Sequence, residues 1–214
     1  LIPKESDHTD IAPDQERDLV SFLKDRSRKH ADEYQALNYD AIKEAHAREV
    51  AARWDNNDVQ VDGDEASQQG IRYCMFQLFN TYAGLDSHIN IGAKGLTGEW
   101  YFGRYFWDSE AFCLPHYLLT NEVAARNLLE CRYNTLDAAR ARAREFGYEG
   151  ACYAWQTIDG SEDCGVWEYV FGEVHINAIV PYAIYLYTKT TGKKDYLYTK
   201  GVEVLIEESR FWAT

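Results

Sequence analysis

Long apolar runs are missing from this sequence. Its longest nearly uncharged apolar stretches, Phe112 to Leu119 and Ile176 to Tyr187, fall short of the roughly 18–20 residues that a membrane-spanning helix needs. Basic residues are scarce: 22 Lys and Arg face 35 Asp and Glu, for a net charge of −13. That field repels phosphate backbones and anionic lipid over about a Debye length, which excludes nucleic acid and membrane surfaces as partners. Cysteine spacings of the CxxC or CxxxC kind are absent. Cys74, Cys113, Cys131, Cys152 and Cys164 form an odd set in apolar or aromatic surroundings, where free thiols pack as small hydrophobes, and a reducing cytoplasm fits them. The first residues carry no initiator Met, no charged n-region and no apolar h-region, so no signal peptide is expected and the amino end reads as an excision boundary.

Metal-binding spacings are equally thin. The six histidines show no HExxH pattern. Asp58-x-Gln60-x-Asp62-Gly63 has the glycine of a calcium loop, but Gln69 stands where the ion wants a bidentate Glu. An acidic turn into a helix explains that run better, and no metal is expected. Nor does any Asn-Gly hairpin signal or short exact repeat occur.

What the chain has is aromatic surface. Sixteen Tyr, nine Phe and six Trp make 14% of the residues, beside 46% hydrophobic residues overall, enough for a sizeable core. Aromatics with a polar edge suit surfaces that are half core and half wet pocket, and sugars match such surfaces. Packing between helices would account for the same composition.

The organisation is helical. Residues 1–60 are more charged and read as a lead-in of two amphipathic helices, with Pro13 in a first turn, Leu19, Phe22 and Leu23 at helical spacing, and Val50 paired with Trp54. From 61 to 214 the pattern is that of a core domain. Ile71, Met75, Leu78, Phe79 and Tyr82 mark one face of a long helix. Gly84 to Gly103 reads as an irregular loop, and helical spacing resumes at Ser109–Leu119 and Glu122–Phe146, with Gly147 as the carboxyl cap. A helix from Glu173, apolar all round and containing Pro181, is expected to be buried, and another opens with Tyr198, Val202, Leu205 and Trp212 and runs to the end of the chain. Arg140, Arg142 and Arg144 point to different sides of their helix and read as a solvated surface. The fold class is all-α: helix pairs alternating with long loops that build a binding face.

One stretch mixes residues that a core does not require. Gly95-Leu96-Thr97-Gly98-Glu99-Trp100-Tyr101-Phe102-Gly103-Arg104-Tyr105-Phe106-Trp107-Asp108-Ser109-Glu110 sets glycines, aromatics and charges at a loop-to-helix junction. A Trp beside an Asp can lay an indole against a pyranose edge while the carboxylate accepts hydrogen bonds from ring hydroxyls. Asp108 or Ser109 could instead cap the next helix. Glu168, between Trp167 and Tyr169, is the carboxyl whose neighbours would desolvate it and suit it to acid catalysis.

This stretch, with Tyr153-Ala154-Trp155, Gly172-Glu173-Val174-His175-Ile176-Asn177, Arg126-Asn127-Leu128-Leu129 and Arg132-Tyr133-Asn134, resembles glycoside hydrolase family 65, the maltose, kojibiose, nigerose and trehalose phosphorylases. The similarity runs from about His46 onward. It implies that residues 61–214 are the N-terminal part of an (α/α) barrel, incomplete and inactive alone, with helical linkers before it. It also implies inverting phosphorolysis of an α-linked glucose disaccharide to β-glucose 1-phosphate, with inorganic phosphate as co-substrate, no organic cofactor, and a homodimeric full-length parent. Trp107 and Asp108 match the family's glucose-holding pair. Trp155 and Gln156 fall where members of different linkage preference vary, Gln156 standing where many carry Glu. Glu173 and His175 match a Glu-x-His element facing the pocket; as a helical i, i+2 pair they would splay apart and could equally be a satisfied polar pair inside the helix.

In such a mechanism one carboxylic acid protonates the departing oxygen while phosphate attacks the anomeric carbon. The resemblance puts that acid in a Gly-Pro-Asp/Asn-Glu-Tyr stretch, expected beyond Thr214, and leaves Glu168 as the fallback within this chain. Two rival readings stay open: a hydrolase of the acid-trehalase kind on the same scaffold, and a non-catalytic carbohydrate-binding fragment.

Overall fold

The computed structural model describes residues 16–96, 98, 100–164, 168 and 172–214. Pro13, Trp167 and Tyr169 lie outside the described residues. The described residues fall into two compact units, divided between Val59 and Gln60.

The first unit holds α1 (Glu16–Gln35) and α2 (Tyr39–Asn57). Asn38 starts α2 by accepting the Ala41 N–H at 2.8 Å, which satisfies one of the helix's orphan donors. Val50 and Trp54 are half-buried, whereas Phe22 and Leu23 are exposed.

In the second unit Asp64 opens α3 (Glu65–Thr81), accepting the Ser67 N–H at 3.0 Å and the Ser67 hydroxyl at 2.6 Å. Met75 is the buried point of α3, and Tyr82 is buried just after it in extended backbone. Beyond the irregular stretch to Gly103, a π-turn at Ser109–Cys113 runs into α4 (Leu114–Thr120), followed by α5 (Glu122–Asn134) and α6 (Leu136–Glu145). The expected single helix from Glu122 to Phe146 is two. Thr135 leaves helical geometry at φ −101°, ψ 9°, and its hydroxyl bonds back to Cys131 and Arg132 carbonyls.

The expected helix from Glu173 begins later, as α7 (Ile176–Thr191), and continues through Pro181. One face of it, with Ile176, Val180, Ala183, Ile184 and Tyr187, is buried; Tyr182 and Tyr185 on the other are exposed, so α7 is not enclosed all round. A π-turn at Leu197–Gly201 leads into α8 (Val202–Ala213). Its buried positions are Val204, Glu208 and Phe211. Tyr198, Val202 and Trp212, expected on the inner face, are exposed because the π-turn rotates the register.

Within this unit α5 and α7 pack centrally, with α4, α6 and α8 against them. Leu114, Leu128, Leu129, Ile176, Ile184 and Tyr187 form the dry centre. Among the described residues the only β-bridge is an isolated antiparallel one, and no helix is long and apolar enough to cross a membrane. All five cysteines are free thiols. The turn after α6 locks onto α8: Ala151 N–H donates to the Glu207 carbonyl at 3.1 Å. Gly150, at φ +70°, lies so close that a Cβ there would meet the same carbonyl at 2.0 Å.

Glu208 is buried, and among the described residues nothing hydrogen-bonds either of its carboxyl oxygens. Burial holds its carboxyl well above the ordinary value of 4.5, the Arg132 charge opposing and Glu110 adding. The folded protein therefore keeps a proton that the unfolded chain releases above about pH 4.5. The Glu208 contribution to stability is complete below that pH and is lost as pH rises toward the folded-state value. Chemical denaturation at a series of pH values from about 5 to 8 is expected to show falling stability, and Glu208→Gln to flatten that slope.

Candidate active site

Two irregular segments, 104–110 and 152–157, are held side by side. Tyr105 and Thr157 exchange backbone hydrogen bonds at 2.9 and 3.2 Å. Before them, Trp100–Gly103 makes a tight turn in which Tyr101 and Phe102 take φ of 65° and 51°, a left-handed geometry that costs a bulky residue energy. The Tyr101 ring meets Phe106 edge-on at 5.3 Å, and Arg104 binds both carboxylate oxygens of Asp163 at 2.6 Å.

The segment carrying Trp107 and Asp108 is fixed from beneath by Arg132 of α5. Its guanidinium grips Glu110 through two bonds of 2.7 Å and donates to the Phe106 carbonyl at 2.9 Å. Tyr105 and Tyr153 flank it at 4.9 and 5.7 Å, and Tyr153 in turn donates to the Arg132 carbonyl at 3.0 Å. Both charges are buried. Burial works to lower the Arg132 pKa, but Glu110 outweighs it, so the net displacement is upward and the guanidinium stays charged. Trp107 and Asp108 thus hang between two anchor points of one cation.

Above them is an aromatic cluster. The imidazole of His175 meets Trp107 edge-on at 4.9 Å and Trp155 at 5.6 Å, and Trp155 meets Phe106 at 5.7 Å. His175 Nδ1 is 3.0 Å from a Glu173 oxygen. These two residues were expected to splay on a helix. They sit instead on the turn before α7, with His175 at the cap position, and the turn folds the side chains together.

Asp108 is exposed and makes no side-chain capping bond to the π-turn that follows, so the capping role does not occupy its carboxylate. Ser109 is buried and does not cap through its hydroxyl either. Gln156 is half-buried, its amide donating to the Asp163 carbonyl and carboxylate at 3.2 and 3.1 Å. Glu168 is exposed. A cavity of about 570 Å³ opens beside the strained turn; Gly95, Leu96, Gly98, Phe102 and Gly103 of the glycine-aromatic stretch line it, whereas Trp107, Asp108, Trp155, Gln156, Glu168, Glu173 and His175 do not. Among the described residues no group of three or more His, Cys, Asp or Glu could hold a metal.

The structure therefore gathers Trp107, Trp155 and Glu173 around the His175 imidazole, with Asp108 next to Trp107 in the chain. Sequence reasoning missed the residues that hold them: Glu110, Arg132, Arg142 and Glu162. Arg142, read as solvated, is buried and pairs with Glu162 at 3.1 Å. Glu110 and Arg132 do stand out as charges inside apolar runs, before Ala-Phe-Cys-Leu and after Leu-Leu-Glu-Cys, and both fall in stretches quoted for the family resemblance.

Residues 72–214 match the model of the glycosyl hydrolase family 65 central catalytic domain. The chain belongs to glycosyl hydrolase family 65. It is 46% identical to a maltose phosphorylase of Bacillus subtilis over 82% of this chain and 23% of that protein. To a kojibiose phosphorylase of Halothermothrix orenii it is 38% identical, over 82% of this chain and 24% of the relative. A solved human-microbiome protein assigned as a kojibiose phosphorylase superposes with a TM-score of 0.82 at 38% identity, covering 90% of this chain and 26% of that one. The chain thus spans about a quarter of the length of these relatives, and its helical layers are an (α/α) barrel fragment of the family 65 kind.

Removing one partner of a buried pair strands the other. Arg132→Met is expected to cost about 3–5 kcal/mol in denaturant unfolding, and Glu110→Met with Arg132→Met together to recover much of that loss.

Proposed function

We propose that the whole protein carrying this chain is an inverting phosphorylase of an α-linked glucose disaccharide, and that this chain supplies its glucose-holding wall. The observation that carries the reading is the convergence of Trp107, Trp155 and the Glu173–His175 pair beside an exposed Asp108 carboxylate. The named activities of the maltose, trehalose and kojibiose phosphorylases to which it is similar support the same substrate class.

In this reading the Trp107 indole packs on the apolar edge of the terminal glucose and Asp108 accepts hydrogen bonds from its hydroxyls. A carboxylic acid from beyond Thr214 protonates the glycosidic oxygen, and inorganic phosphate attacks the anomeric carbon from the opposite face. Phosphate is already anionic, so no general base has to activate it. The exposed setting of Glu168 favours that assignment of the acid over Glu168 itself. Residues 61–214 serve as the front part of the barrel, preceded by linker helices. The protein is proposed to be a cytoplasmic homodimer, the five free thiols supporting a reducing compartment.

Two measurements on the whole protein test this. Asp108→Ala is expected to lower turnover well over tenfold, because a lost hydrogen bond to a charged group costs about 1.5–3 kcal/mol; near-normal kinetics would remove Asp108 from the site. Omitting phosphate is expected to abolish disaccharide cleavage. Undiminished glucose release without it would make the enzyme a hydrolase.

A further inference from the structure

The backbone from Ala151 to Trp155 forms no regular element: the Ala151 and Cys152 N–H groups donate to the Glu207 and Ala139 carbonyls at 3.1 and 3.0 Å, and from Tyr153 onward side chains take over. Asn177 accepts the Tyr153 N–H at 2.7 Å, and Arg142 donates to the Tyr153 carbonyl at 2.9 Å and to the Cys152 thiol at 2.7 Å. The next residues depend on one carboxylate. Glu162 accepts the N–H groups of Trp155 at 2.6 Å, Gln156 at 3.1 Å and Cys164 at 3.3 Å. The same carboxylate faces Arg142 at 3.1 Å, and both side chains are largely buried, 13% and 5% exposed.

The following residue, Asp163, ties the opposite wall. It receives the Gln156 amide and both contacts from Arg104, one residue before the Tyr105 bridge. The main chain beneath Trp155 is thus suspended from a charged clamp that touches neither indole nor imidazole in any contact described above. An alternative acceptor of lower charge would hold three donors less firmly.

We propose that Glu162 is a positioning residue for sugar recognition: through the main chain of Trp155 and Gln156 it sets where the Trp155 indole stands, and thereby which disaccharide the site prefers. This deepens the reading of the site as a disaccharide phosphorylase and rests on it. Trp155 and Trp107 flank the same imidazole, so a displacement of one indole changes the width of the space a sugar can enter. Arg142 completes the device by holding the Glu162 carboxylate in place at 3.1 Å.

The test is a double-mutant cycle in the whole protein. Glu162→Gln, Trp155→Phe and the double variant are assayed with maltose, kojibiose and trehalose plus phosphate, their folding checked by thermal unfolding. Glu162→Gln is expected to change the ratio of kcat/KM between disaccharides by about tenfold while leaving the KM for phosphate unchanged. In the Trp155→Phe background the same substitution is expected to change that ratio no further. An unchanged ratio, or an effect equally large in both backgrounds, overturns the proposal, since a general loss of structure would lower all substrates alike. If the wild type cleaves none of the three sugars, the activity reading falls. The proposal is then judged by calorimetric titration with maltose: weakening of about tenfold by Glu162→Gln, absent in the Trp155→Phe background, sustains it. Equal affinity, or no binding by the wild type, overturns it.

Discussion

A buried guanidinium in contact with a buried carboxylate organises this molecule. Arg132 and Glu110 are both shielded from water, and the bidentate geometry with a third bond to the Phe106 carbonyl compensates their desolvation. An apolar pair would hold helices together as well. It would not hold a loop carbonyl and a helix-start carboxylate in fixed directions, and those directions are what aim Trp107 and Asp108. The tyrosines around the cation, Tyr105 and Tyr153, belong to the two segments that form the site, so the same ion also brings those segments together.

Above this base the site is built from rings meeting edge to face rather than from a large enclosed pocket. Such contacts fix orientation because the positive edge of one ring seeks the negative face of the next. They leave the exposed side of Trp107, the His175–Glu173 pair and Asp108 facing solvent in part. Under the proposed sugar-binding reading, the apolar face and polar rims of a hexose would meet the two parts of this surface. The second buried pair, Arg142 with Glu162, repeats the design beneath Trp155.

The sequence made the helical class legible, and the aromatic residues proposed for the site stand out in it, since apolar spacing and the Trp-Asp motif are local signals. The supports were not legible, because they act across distance: Glu110 and Arg132 are separated by 22 residues, and nothing local marks them as partners. Arg142 was misread for the same reason, as alternate arginines on a helix look solvated until a loop lies over one of them. The boundary at Thr135 escaped because a hydroxyl bonding back to Cys131 and Arg132 breaks the helix without glycine or proline. The Glu173–His175 contact was hidden by assuming helix one turn too early. Asp163 with Arg104, 59 residues apart, could be found only in three dimensions.

The interlock at Gly150 bears on how such a chain can vary in length. With Ala151 bonded to the Glu207 carbonyl and no room at residue 150 for even a methyl group, the connection from α6 to Trp155 has no slack at its start. Adding or deleting a residue there would shift every anchor downstream by one step, out of phase with Arg142, Asn177 and Glu162. Ile158 and Asp159 are exposed, but Gly160 just beyond them is buried, donates to the Thr157 hydroxyl at 2.7 Å, and would set a Cβ only 2.6 Å from Thr135. The connection is therefore held to its length at its root and again at Gly160.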